Sequence, residues 1–260
     1  MTLDKLFVGI LAASAVLSSS ALALAAGEVS LLHARSITST HYGMSSQSVS
    51  IDVLVQDIAR QKSVAVHLRG ADGNWSDIAA QYLRPAGPDR EVWRVSFQRN
   101  TWEGNAPLDL RFALRYNVNG QAYWDNNGGQ DYSLGSDQGS LLVGQNVYAS
   151  YATGNATPYN GTLYGSVTLR NLAYDKEVTV VYTVDGWATV RTAPASYSPY
   201  FWYGAYSSAS NPNALGAEEW SYSLDVSGGS ELEYAIAYSV GGATYWDNNF
   251  GRNYRTILQQ

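Results

Sequence analysis

The sequence of 260 residues contains no cysteine, which removes disulfides, thiol nucleophiles and thiolate-held metals from any account of it. Charge is scarce too: Asp, Glu, Lys and Arg supply 15% of the residues, with a formal net charge of -6. Phosphate backbones and anionic bilayers select for clustered Lys and Arg, so neither a nucleic acid nor a membrane is expected as a partner. There are three histidines, His33, His41 and His67, in no HExxH spacing, and there is no GxSxG elbow; zinc and serine hydrolases lack their parts. The acids that recur beside the aromatic motifs described below are Asp125 and Asp247, one per motif, whereas a glycosidase needs two carboxyls roughly 5 to 9.5 Å apart in one site. The expectation is a non-enzyme with no cofactor and no metal. Helical periodicity is also missing beyond the first residues, so little helix is expected.

One apolar run exists, Leu6 to Leu17. With Lys5 before it and the small-residue stretch Ala23, Leu24, Ala25 after it, residues 1–26 read as a signal peptide cleaved near Ala25. At about 12 residues the run falls short of the roughly 18 to 20 that span a bilayer. A secreted or periplasmic protein is expected.

What the chain has in quantity is tyrosine, tryptophan and glycine, at 20, 8 and 24 residues, the material of strands and tight turns. Tyr123, Trp124, Asp125, Asn126, Asn127 in one half recurs as Tyr245, Trp246, Asp247, Asn248, Asn249 in the other, 122 positions on. Each copy follows an alternating segment: Leu110, Phe112, Leu114, Tyr116 and then Leu232, Tyr234, Ile236, Tyr238. A second block repeats as well, Gln56 to Val66 lying over Arg170 to Val180, each running on to an Asp-Gly and a Trp (Trp75, Trp187); Trp93 matches Trp220. Period-2 alternation interrupted by Gly, Asn, Asp and Pro clusters predicts antiparallel sandwiches. The reading is therefore all-β, two tandem immunoglobulin-like antiparallel β-sandwich domains. The first repeat is set at 27–134, a linker at 135–140 (GSDQGS) and the second repeat at 141–260.

Sugars present C–H faces ringed by hydroxyls, and flat aromatics beside planar amides suit both features. Trp246 with Asn248 and Asn253, and Trp124 with Asn126 and Asp131, supply that combination if the indoles point outward. On residues alone an equal alternative stays open, in which each Trp is core and the Asn residues shape a turn. The cluster Tyr200, Phe201, Trp202, Tyr203 and Tyr206 likewise reads either as an extended platform or as a lid over one sandwich end.

The strings NLAYDKEVTVVYTVDGW and YWDNNFGRNY resemble the two signatures of the family 21 carbohydrate-binding module, found in fungal glucoamylases and in glycogen-targeting subunits of protein phosphatase 1. The likeness covers nearly all of residues 28–257, once per repeat. It implies an immunoglobulin-like sandwich that binds α-1,4-linked glucan (starch, glycogen or maltooligosaccharide) at two aromatic sites without chemistry of its own. Carried onto this sequence, the first site pairs Trp187 with Trp246 and Trp75 with Trp124, while a further family aromatic falls on Ala113 and Ala235. The second site takes Asn171, Tyr174, Lys176 and Tyr197, with Asn248 and Asn253; in the first repeat its matches are Lys62, Tyr82 and Asn126, beside Asp57, Arg60 and Asp131, where an aromatic is lost. Two modules engaging one polymer would act by avidity, in the service of a separate amylolytic enzyme. The rival function is a secreted interaction or adhesion module using the same rings. Arg94, Val95, Ser96, Phe97 spells the phosphatase-docking pattern of the glycogen-targeting relatives, and its alignment with Ser221 to Leu224 predicts an interior strand without a free edge, hence a coincidence.

Overall fold

The computed structural model describes residues 27–150, 155–199 and 206–259. The expected signal segment 1–26 and the rings Tyr200, Phe201, Trp202 and Tyr203 lie outside the described residues. The chain divides into two compact units, each described here by itself: residues 27–144 with the described part of 198–219, and residues 145–197 with those from 220 onward.

The amino-terminal unit holds β1 (Val29–His41), β2 (Met44–Gln56), β3 (Lys62–Arg69), β4 (Trp75–Ala79), β5 (Gln81–Ala86), β6 (Arg90–Asn100), β7 (Leu110–Val118), β8 (Gln121–Asp125), β9 (Tyr132–Leu134) and β10 (Gly139–Leu142). One sheet runs β10-β1-β2-β6-β5; the other runs β4-β3-β7-β8, with β9 also on β7. Alternation puts Leu31, Ile51 and Val53 of the first sheet and Val66, Phe112, Leu114 and Tyr116 of the second into one core. Two apolar faces closed on each other make the expected sandwich.

The carboxy-terminal unit repeats the plan with β11 (Val147–Ala149), β12 (Asn155–Ala156), β13 (Thr162–Arg170), β14 (Lys176–Thr183), β15 (Arg191–Pro194), β16 (Ser196–Tyr197), β17 (Ala217–Asp225), β18 (Glu231–Val240), β19 (Ala243–Asp247) and β20 (Tyr254–Leu258). Its sheets are β11-β13-β17-β16 and β12-β20-β18-β14-β15, with β19 on β18. The duplication extends to register. Leu114 faces Asp125 and Tyr116 faces Tyr123 in the first unit; Ile236 faces Asp247 and Tyr238 faces Tyr245 in the second. Corresponding phenols reach corresponding carbonyls, Tyr116 Oη donating to Gln56 O at 2.7 Å and Tyr238 Oη to Arg170 O at 2.8 Å. One pairing departs from the antiparallel expectation: β12 runs parallel to β20.

The repeat boundaries need correction. Residues 135–140 are not a free linker, because Gly139–Leu142 is β10, paired with β1 through His33 opposite Leu142 and Ser36 opposite Gly139. Leu141 and Leu142 therefore complete the first sandwich instead of opening the second. The described part of 198–219, assigned in sequence to the second repeat, clusters with the amino-terminal unit, the boundary falling within β17. The Asp137 carboxylate holds it, accepting from Ser207 Oγ at 2.7 Å and from Ser208 N at 2.6 Å. Asn213 Nδ2 donates to Gln138 O and Ser140 O at 2.9 and 2.7 Å, and Thr40 N to Tyr206 O at 2.9 Å. Sequence order alone carries no sign of this, since these bonds span about seventy positions and more.

Candidate functional site

Strand alternation decides which face of the β4-β3-β7-β8 sheet meets solvent. Val66, Leu114 and Tyr116 point into the core, so His67, Arg115 and Trp124 point out. The outward set forms a continuous aromatic and charged surface. Trp75 stacks on His67 with centroids 5.1 Å apart and planes at 11°, and Trp124 meets His67 edge-on at 5.4 Å. The paired indoles thus lie on one face, 38% and 48% exposed. The Arg115 guanidinium sits 5.7 Å from the Trp124 ring centre. Asp77 clamps both neighbours, 2.6 Å from His67 Nδ1 and 2.7 Å from Arg115 Nη2. Ala113 lies opposite His67 in the ladder, a small floor between the larger rings. His67, Arg115 and Asp77 were missed in the sequence. They lie 10 to 48 positions apart from one another, and only the sheet register assembles them.

In the carboxy-terminal unit Trp246 stands on β19 opposite Ala237, and Trp187 occupies the turn that leaves β14; both are half-exposed. Register puts Val181 and Ala237 where the first unit has His67 and Arg115, so this face is less polar. The Trp187 turn is built around Thr183, whose Oγ1 accepts from Trp187 N at 3.0 Å and donates to Asp185 Oδ1 at 2.8 Å. Thr189 N closes the loop on Asp185 Oδ1 at 2.9 Å. The Thr189 amide and the Thr183 hydroxyl hold the Asp185 carboxyl down to about 2. Trp187 itself adopts φ +68°, a conformation that costs energy for a side chain with a Cβ.

Among the second-site residues of this unit, Lys176 and Asn171 meet directly. Tyr174 is 96% exposed, and Lys176 Nζ donates to Asn171 Oδ1 at 2.7 Å. Ala195 N bonds Val178 O at 2.8 Å, and Tyr197, two residues on, lies on β16 beside β17. Tyr197 packs edge-on against Trp220 at 6.1 Å and 84°; its counterpart Tyr82 does the same to Trp93 at 5.9 Å and 86°. Lys62 is a correction. Its side chain is 3% exposed, gripped by Asp57 and by Glu91 at 2.9 Å, so no ligand reaches its ammonium. Burial lowers the Lys62 pKa, but the two carboxylates outweigh it and the net movement is upward.

The amides divide between turn and surface. Asn126 Oδ1 accepts from Gly129 N at 3.0 Å and Asn248 Oδ1 from Gly251 N at 2.9 Å, so each oxygen is spent on the loop while its Nδ2 remains for a ligand. Asn253 Nδ2 donates to Glu233 at 2.8 Å, and Arg111 Nε to Asp131 Oδ2 at 3.0 Å. The repeated acids serve the fold: Tyr254 Oη donates to both Asp247 oxygens at 2.7 Å, and Ala149 N to Asp247 Oδ2 at 2.7 Å. Asp125 does the same with Tyr132 and Leu31 N, and burial followed by the Asp125 bond pushes the Tyr132 phenol far up. Each motif Asp thus ties β8 or β19 to the first strand of its own unit. In the phosphatase-like tetrapeptide, Val95 is 1% exposed and Arg94 is held by Asp52 at 2.5 and 2.7 Å. The edge expectation changes, however: β5 covers β6 only from Arg90 to Arg94, so the edge from Val95 onward is not covered by β5.

The family model described as carbohydrate/starch-binding module (family 21) matches residues 33–135 and 144–257. Glucoamylase 1 of Rhizopus oryzae is 37% identical over 122 residues, 45% of this chain and 18% of that protein. Protein phosphatase 1 regulatory subunit 3E of Mus musculus is 35% identical over 94 residues, 36% of this chain and 30% of that one. The chain therefore spans less than a third of these curated relatives. A solved starch-binding domain of Rhizopus oryzae glucoamylase, in complex with β-cyclodextrin and maltoheptaose, aligns at 30% identity over 46% of this chain and 98% of its own, with a TM-score of 0.33.

Proposed function

Because the chain belongs to carbohydrate/starch-binding module family 21 along both halves, we propose that it binds α-1,4-linked glucan without cleaving it, through Trp75 with Trp124 and Trp187 with Trp246. The observation that carries this reading is the solvent-facing indole surface of the amino-terminal unit, where Trp75, His67 and Trp124 pack ring against ring. Flat rings offer a sugar C–H face a large contact at little entropic cost. Asn171, Tyr174, Lys176 and Tyr197, with the free amide nitrogens of Asn248 and Asn126, supply a second set of contacts. Tyr82 and Asn126 stand for that set in the amino-terminal unit. The setting we propose is extracellular or periplasmic, on the strength of residues 1–26, where the protein tethers a separate amylolytic activity to its polymer.

The test is retention of the purified chain on insoluble starch, glycogen and cellulose. Trp187→Ala with Trp246→Ala is expected to lower starch retention by about tenfold, with soluble maltooligosaccharide competing and cellulose inert. A folded chain that ignores all three polymers removes the glucan reading and leaves a protein-interaction module.

A further inference from the structure

Two-residue hairpins of this chain share one backbone geometry, with positive φ at both central residues. Asn119-Gly120, Asn160-Gly161 and Gly241-Gly242 have φ of 51° and 76°, 49° and 75°, and 58° and 80°. Asn and Gly are the residues this turn asks for. The hairpin joining β1 and β2 has the same turn, φ 50° and 77°, yet its first central residue is Tyr42. A tyrosine gains nothing from that backbone, and Tyr42 is 88% exposed, so the fold returns little packing for the strain. Trp187 has the same combination of an aromatic side chain and left-handed backbone. A strained residue displayed to solvent is a pointer to function.

The surroundings of Tyr42 extend it into a surface. The His41 ring lies 3.9 Å from Tyr42 and 4.5 Å from Tyr206, making an exposed row of three rings. Tyr206 is brought there by its carbonyl, which accepts from Thr40 N. Thr101 Oγ1 accepts from Ser45 N at 2.9 Å, which sets the neighbouring Trp102, 57% exposed, at the same end. Thr40 and Ser45 hydroxyls sit together at 2.8 Å beside the row. Rigid rings interleaved with hydroxyls suit a sugar chain, and the exposed Met44 opposite His41 adds an apolar neighbour to the row.

We propose that this tip of the amino-terminal unit is an additional glucan-contacting surface, centred on the Tyr42–His41–Tyr206 row with Trp102 beside it. The proposal rests on the glucan reading above and adds a surface that neither repeat signature contains. It is tested with Tyr42→Asn, which suits the turn, and independently with Trp102→Ser, both in the full chain. Expected for Tyr42→Asn is a melting temperature a few degrees higher together with at least threefold weaker retention on insoluble starch; Trp102→Ser weakens retention similarly. Retention equal to the unaltered chain in both variants overturns this proposal and leaves the glucan reading standing. An unaltered chain that is not retained at all overturns both. A variant that lowers native mass without changing retention makes the tip an interface between copies and overturns it as well.

Discussion

His33 shows what a single buried side chain does to the acid behaviour of the amino-terminal unit. It follows an irregularity in β1 and faces Asp52 across the ladder. Burial, only partly offset by Asp52, lowers its pKa from 6.5 to about 4. The unfolded chain thus takes up a proton near pH 6.5 that the folded unit refuses until about pH 4. Stability falls as pH drops through that window and levels off below it, by about 3 kcal/mol at most. Urea unfolding at pH 7, 5.5 and 4 is expected to show this decline, and His33→Asn to flatten it; equal slopes in both proteins contradict the assignment. At the same scale, the paired indoles and the exposed Tyr174 were legible in the sequence because each belongs to a repeated or local string. Lys62 was not, since its burial between Asp57 and Glu91 depends on where β6 lies.

At the scale of elements, the turns and the crossing segment decide how the rings are presented. The Asp185 turn keeps Trp187 in place down to acid conditions: a carboxyl held near 2 contributes its order above the usual carboxylate range and loses it only as pH falls through about 2. Segment 206–219 is held to the amino-terminal unit chiefly at Asp137, whose oxygens accept from Thr38 N, Ser207 and Ser208. Asp137→Ala removes these bonds together, each worth about 1 to 3 kcal/mol when one partner is left behind. The expected outcome is faster limited proteolysis within this segment while the two sandwich cores persist; an unchanged digestion pattern would show that the Asn213 bonds suffice. Strand existence was readable from alternation, but β10 was not, because a four-residue strand flanked by glycine and polar residues looks like a linker until β1 is seen beside it.

For the whole molecule, the proposed glucan binding gives the duplication its meaning: two weak surfaces on one chain would convert the second encounter with a long glucan into an intramolecular event. Trp75→Ala with Trp124→Ala, leaving the carboxy-terminal pair intact, is expected to reduce retention on insoluble starch by about tenfold or more, while binding of a short soluble oligosaccharide falls by no more than the loss of the altered sites. Equal losses on both ligands would show that the units act independently.

The sequence by itself determined the all-β class and the twofold repeat, because alternation, repetition and turn chemistry are local properties of a strand and its neighbours. Only the tertiary structure decided that the motif acids Asp125 and Asp247 brace the fold, that His67 and Arg115 complete the indole face, and that residues 206–213 bond to the amino-terminal unit. Those outcomes turn on hydrogen bonds and ring contacts between residues far apart in the chain, which sheet register and packing create and no short string encodes.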